Sequence, residues 1–600
     1  MLSSPLFDSL GKLVIEKHQK YFCDHHQKAK ELELGELRKL YGDNYIFGWR
    51  ILAHINENTK LELDVLFDYK IPYSVPKIAL VDKSYFLKWP HVEKNGMLCL
   101  RHSKDKVMHN VGTELTDYLI SNAIELINGN ILGQSIGDFG SEFESYWIYF
   151  ITEDQKNPSE VFLFADYLPS SLEAYYIKIN KKIIISDSKQ KAEQWLRDYY
   201  NNDKTDESNF YKCAVFHLDS PIHPDQYPKN NKELADLLKN SDKQLLNSIV
   251  PVDYGSVPVV LSFDTENGTA YGCVWLTEPY EYNQMKKKYE LHRFDGFRVK
   301  KNAPTERYLS VNAKTEFATV SVLNKKWLIE RGGKGYLPEV SKSKISIIGC
   351  GALGSGIARM LTQAGIGSLN LIDPEQLEWG NIGRHLLGAE YVGKKKTDGL
   401  KSYLRKQLPG TTYIESYPTQ WEQAFKKDSS ILSGQDLIIS TTGSWDSEDA
   451  LNYLFNNNAS IPPILYGWFE PFGICGHSVL ITKYGGCLSC GMDRYGNFLY
   501  PLTLWSQAEY LKREPACSAM YNTYGLTDIQ PVQAMLVNTA LDYLQNKIRY
   551  SEHKYWIGDI NSLPELKGTL NNNTNYYDNL RKLSITSKQW KTSESCVYKH

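Results

Sequence analysis

The sequence predicts a multidomain chain of α/β and α+β class whose last domain is an α/β nucleotide-binding one. Three observations carry this. Lys344 to Asp373 reads as strand, Gly-rich turn, helix and strand, one complete βαβ unit. The first 145 residues open on a helical pattern, continue through strand-like runs and close on a helix, an α+β order. Between them stand further strand runs and an Asn267-Gly268 hairpin signal, which read as a small α+β connector. The domains are therefore expected at residues 1–145, 146–330 and 331–600.

In the βαβ unit the run Lys344 to Ile348 leads into Gly349-Cys350-Gly351-Ala352-Leu353-Gly354, and a second strand ends at Asp373. The three glycines serve different ends, namely a tight turn, close approach of backbone to phosphate, and close packing of helix on strand. The following helix N-terminus offers free N–H groups to an anion. Asp373 stands where a carboxylate can accept both ribose hydroxyls. A Gly-rich turn can serve packing alone, but here both strands and the acid accompany it.

Downstream come Asn381-Ile382-Gly383-Arg384 and Gly393-Lys394-Lys395-Lys396. A redox cofactor needs no Arg and Lys aimed at its phosphates. Attack on an α-phosphate does, because charge builds on the phosphoryl oxygens. This acid, Asn-x-x-Arg and Gly-x-x-Lys resemble the ThiF/MoeB family, which includes the ubiquitin-activating enzymes. The resemblance implies a Rossmann-like adenylation domain using ATP and Mg2+, with Asp373 on the ribose and Asn381, Arg384 and Lys396 around the phosphates. The chain departs from the family at Thr441-Thr442-Gly443, where Gly443 occupies the position of the magnesium-binding Asp. Asp446 is the nearest carboxylate, and its position also suits a helix N-cap.

Bulk properties set outer bounds. Hydrophobic content of 42% and charged content of 23% are ordinary for a globular chain, and a net charge of −2 gives no sign of a nucleic-acid partner. No apolar run reaches the length of a bilayer span, so a soluble protein without membrane association is expected. The first residues carry an acid early and lack a long apolar core, unlike a secretory signal. Ten scattered cysteines form no disulfide framework, so cytoplasmic thiols free to act as nucleophiles are expected.

In the first segment Leu10, Leu13, Val14 and His18 fall on one helical face. Strand-like runs follow at Tyr45 to His54 and Leu61 to Phe67, the second alternating cleanly. Tyr69 to Leu80, with Pro72 and Pro76, suits a sheet edge. Then come Trp89-Pro90-His91 and Asn95-Gly96-Met97-Leu98-Cys99-Leu100, a turn and a cysteine in a short apolar run. A lone cysteine there is ordinarily a core residue. The order of pieces, however, resembles a ubiquitin-conjugating domain, whose catalytic cysteine follows Asn-Gly-x-Ile-Cys-Leu, and this implies Cys99 as the thiol. The family's His-Pro-Asn is replaced by Pro90-His91-Val92, so His91 either holds the loop or acts on protons, with the loop role the expected one. A helix from Thr113 to Asn128 closes the domain.

The connector shows strands at Val161 to Phe164, Ala174 to Ile179, Lys182 to Ser186 and Cys213 to Leu218, a helix near Lys191 to Tyr200, and no chemical motif. His217, His223 and His292 lack ligand spacing. In the last domain Arg331 stands where homodimeric relatives send an Arg to the partner's ATP site, and also where a solvated helix end would fall. Cys487-x-x-Cys490 lacks a second pair, since only Cys517 and Cys596 follow, so no metal site is assigned. Cys517, beside Pro515, Ala516 and Ser518 with Arg513 near, suits an exposed reactive thiol. The resemblance places the acceptor cysteine of the activating family in this loop, which is expected to follow the last sheet strands. The final fifty residues show no role.

Together the resemblances imply a fused activating and conjugating enzyme of the bacterial ubiquitin-like type, as in anti-phage cyclic-oligonucleotide systems (CBASS). Its expected course is adenylation of a protein C-terminus, thioester relay from Cys517 to Cys99, and conjugation to an amine. The implied partners are a cGAS-like nucleotidyltransferase, an amine acceptor and a second copy of the chain. A sulfur-carrier adenylating enzyme would share the ATP half but needs no conjugating domain, and a nicotinamide oxidoreductase would share only the glycines.

Overall fold

The computed structural model describes residues 5–26, 28–71, 73–100, 112–155, 158–165, 170–179, 182–200, 210–250, 255–278, 308–330, 337–506, 510–513, 520–571, 576–577, 584–594, 596 and 598. The chain divides into two compact units, Met1–Asp187 with Phe210–Ser321, and Ser188–Asn209 with Val322–His600. Cys517, Arg331 and His292 lie outside the described residues.

The first unit begins with α1 (Pro5–His25), β1 (Lys30–Glu31), α2 (Leu34–Tyr41), β2 (Tyr45–His54), β3 (Lys60–Asp68) and β4 (Lys77–Leu80). The four strands form an antiparallel sheet in chain order, so β4, after the proline-containing stretch, lies at the edge. One sheet face packs Trp49, Ile51, Leu63 and Val65 against Val14 and Phe22 of α1 and Leu119 and Ala123 of α3 (Glu114–Ile131). Val14 and His18 turn inward as the spacing predicts, but Leu13 is 42% exposed. The clean alternation expected of β3 fails, since Asp64, Val65 and Leu66 are buried in succession. The reason is α2, whose Leu37 and Tyr41 cover the opposite face over Leu66 and Ala79. Asp64 is tolerated there because Arg50 donates two hydrogen bonds to it, at 2.7 and 2.8 Å, and the Tyr41 hydroxyl a third at 2.8 Å.

After α4 (Asp138–Ser141) and α5 (Phe143–Asp154), seven strands close into a barrel. They are β5 (Ser159–Phe164), β6 (Leu172–Ile179), β7 (Lys182–Ser186), β8 (Tyr211–His217), β9 (Val257–Thr265), β10 (Gly268–Leu276) and β11 (Glu316–Val322), in spatial order β10-β11-β5-β7-β6-β8-β9. The predicted hairpin joins β9 and β10, with Thr265 opposite Gly268 at φ +116°. The expected boundary at 145 falls inside α5. Phe143 and Trp147 of that helix lie against the backbone of β10 at Gly272, and the Trp147 indole donates to the Ala318 carbonyl at 3.0 Å. The sheet domain and the barrel therefore share one unit. The expected connector is not self-contained either, because α6 (Lys189–Tyr200) belongs to the second unit. There Asp198 accepts from the Arg405 guanidinium and from the Gly410 N–H.

The second unit is built on an eight-stranded sheet of order β14-β13-β12-β15-β16-β17-β21-β23. Its members are β12 (Lys344–Ile348), β13 (Ser368–Ile372), β14 (Tyr413–Tyr417), β15 (Leu437–Ser440), β16 (Ile464–Phe469), β17 (Cys475–Ile481), β21 (Glu552–Ile557) and β23 (Ser584–Gln589). The five from β14 to β16 are parallel and the other three antiparallel. The principal helices are α7 (Ala352–Gln363), α8 (Lys396–Gln407), α9 (Trp421–Lys427), α10 (Trp445–Asn457) and α11 (Leu526–Leu544). One core packs Ile357 and Leu361 of α7 with Val532 and Leu536 of α11, while the other gathers Ile348, Ile438, Leu451 and Trp590. Strand order reverses about β12, opening a crevice at the carboxyl ends of β12, β13 and β15.

Two short ribbons complete the strands, β18 (Thr503–Leu504) with β22 (Thr569–Leu570) and β19 (Leu511–Arg513) with β20 (Met520–Asn522). The segment carrying Cys517 joins β19 to β20, so β21 and β23 follow it. It does not come after the last sheet strands, as the sequence suggested. The tail has a structural place too, since β23 extends the sheet and Trp590 is buried. Among the described residues no helix is long and apolar enough to cross a membrane.

Candidate active sites

The crevice of the second unit holds a cavity of about 270 Å³. Two of its glycines show the tight turn and the close packing expected of them. Gly349 has φ +86°, and a Cβ there would stand 2.8 Å from the Thr441 carbonyl oxygen. Gly354 packs closest, with a hypothetical Cβ 1.9 Å from the Gly349 oxygen. A Cβ on Gly351 would meet nothing within 4 Å, so its backbone stays open to a ligand. Asp373 is buried at the end of β13 and accepts from the Cys350 N–H at 2.7 Å and the Glu375 N–H at 2.8 Å. Burial pushes its pKa up, and those two N–H groups oppose the rise. Each carboxylate oxygen keeps a further lone pair for a hydroxyl. Lys396, the first residue of α8 and only 5% exposed, directs its ammonium at the Glu375 carboxylate on the cavity wall. Ile348, Ile372 and Trp421 give the cavity an apolar side, and Thr441, Thr442 and Ser447 a polar one.

Asn381 and Arg384 do not line this cavity. The Asn381 carboxamide accepts from the Glu378 N–H at 3.0 Å, which fixes a 3-10 turn at Trp379–Asn381. Arg384 lies over the Tyr524 ring, 5.1 Å from its centroid. The family resemblance implied that all four groups converge, whereas only Asp373 and Lys396 of them stand on the cavity wall. The residue that follows Arg384, His385, is the one held to the Gly-rich turn. Its ring bonds the Cys350 carbonyl at 2.8 Å, and burial lowers its pKa to about 4.

At Gly443 (φ +63°) the expected N-cap role of Asp446 fails, since Ser444 occupies the N-cap position of α10, without a side-chain capping bond, and Asp446 is exposed in the first turn. Sequence reasoning missed Glu448, which is buried, accepts from the Thr442 hydroxyl at 3.2 Å and is raised by burial to about 7. The carboxylates on the cavity wall are Asp373, Glu375 and Glu422. Such hard oxygen donors suit Mg2+ beside phosphates.

The pair Cys487 and Cys490 gains a third thiol that spacing could not show. The Cys596 sulfur lies 3.6 Å from that of Cys487, itself 4.0 Å from Cys490. The Cys487 thiol holds Cys490 down, to about 5, while Cys487 is raised. A structural zinc site takes four such donors, and the described residues bring three together.

In the first unit, Gly96 turns the chain at φ +86°, and Leu98 enters the core. Cys99 is exposed, so it is not the core residue that a short apolar run suggests. It opens on a cavity of about 490 Å³ whose walls include His91, Asn122, Glu125, Gln134, Ser135 and Asp138. His91 has φ +62° and holds the loop through its backbone, donating to the Tyr146 hydroxyl at 2.7 Å and accepting from the Cys99 N–H at 2.9 Å. Its ring Nε2 meets Asp138 Oδ2 at 2.9 Å. Asn130 of α3 donates to the Pro90 carbonyl at 3.1 Å, buttressing the loop from behind.

These two sites and folds define a two-part class of protein, a Rossmann-like domain with a cavity at its switch point and an α+β domain with an exposed thiol, in one polypeptide. Residues 324–592 match the ThiF family and residues 25–155 match prokaryotic E2 family B. The chain therefore carries an E2-like and a ThiF-type, E1-like domain fused in one polypeptide. It is 31% identical over 162 residues to the ATP-dependent ubiquitin transferase-like protein Cap2 of Pseudomonas aeruginosa (strain BWHPSA011 / Pa011), a match covering 26% of this chain and 28% of Cap2. The adenylyltransferase and sulfurtransferase UBA4 of Candida albicans (strain SC5314 / ATCC MYA-2876) is 32% identical over 122 residues, 20% of this chain and 26% of UBA4. Among solved structures, E. coli MccB with ATP matches 43% of this chain and 67% of its own at 15% identity and a TM-score of 0.30. The chain spans 26% to 53% of the length of the curated relatives it matches.

Proposed function

We propose that this chain activates the C-terminus of a protein with ATP and passes it, through Cys517 and then Cys99, to an amine. The carrying observation is that an exposed thiol in an E2-like fold shares one polypeptide with a ThiF-type nucleotide cavity. In the first step a carboxylate oxygen attacks the α-phosphorus of ATP and pyrophosphate leaves. Gly351 and the N-terminus of α7 receive the phosphates, Asp373 takes the ribose, and Lys396 neutralises charge developing on the phosphoryl oxygens. A thiolate then displaces AMP from the acyl-adenylate, forming a thioester on Cys517. Cys99 takes the acyl group by exchange of one C–S bond for another, and an amine finally displaces the Cys99 sulfur.

A relay suits the chemistry because an adenylate is buried where amines approach poorly, whereas a thioester in an open cavity is accessible. The activated protein in this reading is a cGAS-like nucleotidyltransferase of an anti-phage system; similarity to Cap2 supports the ubiquitin transferase-like part of the reading. The reading includes Mg2+ at the cavity and a homodimer through the adenylation domain. The similarity to UBA4 favours the second reading, a sulfur-carrier adenylating enzyme.

One experiment separates them. The full chain is given a cell lysate, ATP and Mg2+, adducts are resolved on gels with and without thiol, and their sites are found by mass spectrometry. Cys517→Ala should adenylate yet form no thioester, and Cys99→Ala should stall with a reducible adduct on Cys517. Conjugation at the parent rate by the Cys99 variant would refute the E2-like role and leave the sulfur-carrier reading.

A further inference from the structure

We propose that His91 is a catalytic partner of Cys99, its imidazolium holding the sulfur as thiolate, and that Asp138 is the positioning residue for its ring. The proposal rests on Cys99 as the acyl carrier and assigns that site a second functional group. Nothing in the local sequence announces it, since Asp138 lies 47 positions from His91.

Four observations carry it. His91 is 6% exposed and shares the wall of one cavity with Cys99, and the two residues are tied by the Cys99 N–H to His91 carbonyl bond. Nε2 is fixed on Asp138 at 2.9 Å, which settles the ring plane and puts the proton of the neutral form on Nε2. Nδ1 is buried and makes no hydrogen bond to the described residues, while the Glu142 carboxylate stands 3.6 Å away. The backbone pays for this placement with a positive φ at a residue bearing a Cβ, the kind of outlier that gathers at functional sites. A purely structural histidine would need only its backbone contacts to Tyr146 and Cys99, and neither uses the ring.

Charge decides the direction of proton transfer. The groups facing the ring are Cys99, Asp138 on α4, Glu142 at the start of α5, the Tyr146 hydroxyl, and Glu125 across the cavity. The Cys99 sulfur first, then Asp138 and Glu142, raise the histidine's pKa against the opposing effect of burial. A proton moved from the Cys99 sulfur to Nδ1 therefore yields an imidazolium flanked by two carboxylates and a thiolate. Without that cation the same carboxylates would repel a thiolate and push the thiol up. In transfer, the Cys99 thiolate attacks the carbonyl carbon of the incoming thioester, a new C–S bond forms, and the old bond's electron pair leaves on the donor sulfur. When the amine attacks, a C–N bond forms and the electron pair of the Cys99 C–S bond returns to sulfur beside the imidazolium. The amine proton passes to water.

The test needs no conjugation substrate. Alkylation of Cys99 by iodoacetamide in the full chain is followed by peptide mass spectrometry between pH 5 and 10. The parent should show a midpoint below the ordinary thiol value of about 8.5. His91→Asn, which tolerates positive φ, should raise it by about one pH unit or more and slow alkylation at pH 7 roughly tenfold. Asp138→Asn, which leaves the loop's backbone contacts in place, should raise it by a smaller step. A parent midpoint at or above that of an ordinary thiol, or an unmoved midpoint in His91→Asn, overturns the proposal. Should His91→Asn lose the parent's melting transition, Asp138→Asn decides: a raised midpoint supports the pair, because loss of the imidazolium then outweighs loss of the carboxylate's repulsion, and an unchanged or lowered one overturns it. The adduct gels report separately whether Cys99 carries an acyl group, so failure of either idea is recognisable without the other.

Discussion

Replacing Gly351 by Ala adds one methyl group where the backbone turns from β12 into α7. Gly351 has φ −78° and ψ −150°, open to any residue, and its Cβ would meet nothing within 4 Å. The unfolded chain loses freedom, which favours folding by about 0.4–1 kcal/mol. Loss of Gly at an N-cap costs a similar amount, so stability should stay near that of the parent. Binding should not. In the proposed reading a phosphate enters the open space into which the methyl group projects, and one charge-assisted backbone hydrogen bond is worth about 1.5–3 kcal/mol. That corresponds to a roughly 10- to 150-fold weaker Kd for ATP. Gly354→Ala is the contrasting variant, because its Cβ would sit 1.9 Å from the Gly349 oxygen, and it should lower Tm instead. Calorimetric titration of ATP and thermal melts on the full chain supply both readings. An unchanged Kd in Gly351→Ala, or a fall in Tm matching that of Gly354→Ala, would refute this division of labour.

Lys396→Ala should reduce ATP–pyrophosphate exchange by about two to three orders of magnitude, as loss of a transition-state charge partner does. Arg384→Ala should cost less than about tenfold on the same scale, because Arg384 lies over Tyr524 outside the cavity wall; equal losses would show that Arg384 swings onto the nucleotide. Glu448 gives the second unit a pH dependence. Its folded pKa of about 7 lies above the ordinary value of 4.5, so the native state keeps a proton that the unfolded chain releases between those limits. Stability conferred by the protonated carboxyl is complete below the lower limit and lost as pH rises to 7, by about 3 kcal/mol in all. Glu448→Gln should flatten that slope, read as the change in unfolding midpoint between pH 5 and pH 8. A slope unchanged in the variant would assign it to other groups.

Whatever depends on neighbours along the chain could be read from the residues alone. A positive φ at Gly349, Gly96 and Gly268 is demanded by the turns they form, so those turns were legible residue by residue. The apolar runs of β12, β13 and β15 and the helical pattern of α11 showed through because periodicity is local. Asp373 could be placed beside that turn because it ends the second strand of the βαβ unit, whereas Lys396, on the same cavity wall, was reached only through the family resemblance. Contacts between distant elements settled the rest. Burial of both faces of β3 depends on α2, the barrel depends on β5 closing against β11 and β7, and α6 leaves its sequence neighbours because Asp198 finds Arg405 and Gly410. Cys596 reaches Cys487 across 109 positions, and Asp138 reaches His91 across 47. No spacing rule covers such pairs, since their approach is set by how whole elements pack. For the same reason Arg384, well placed in sequence, lies on Tyr524 and not on the cavity wall.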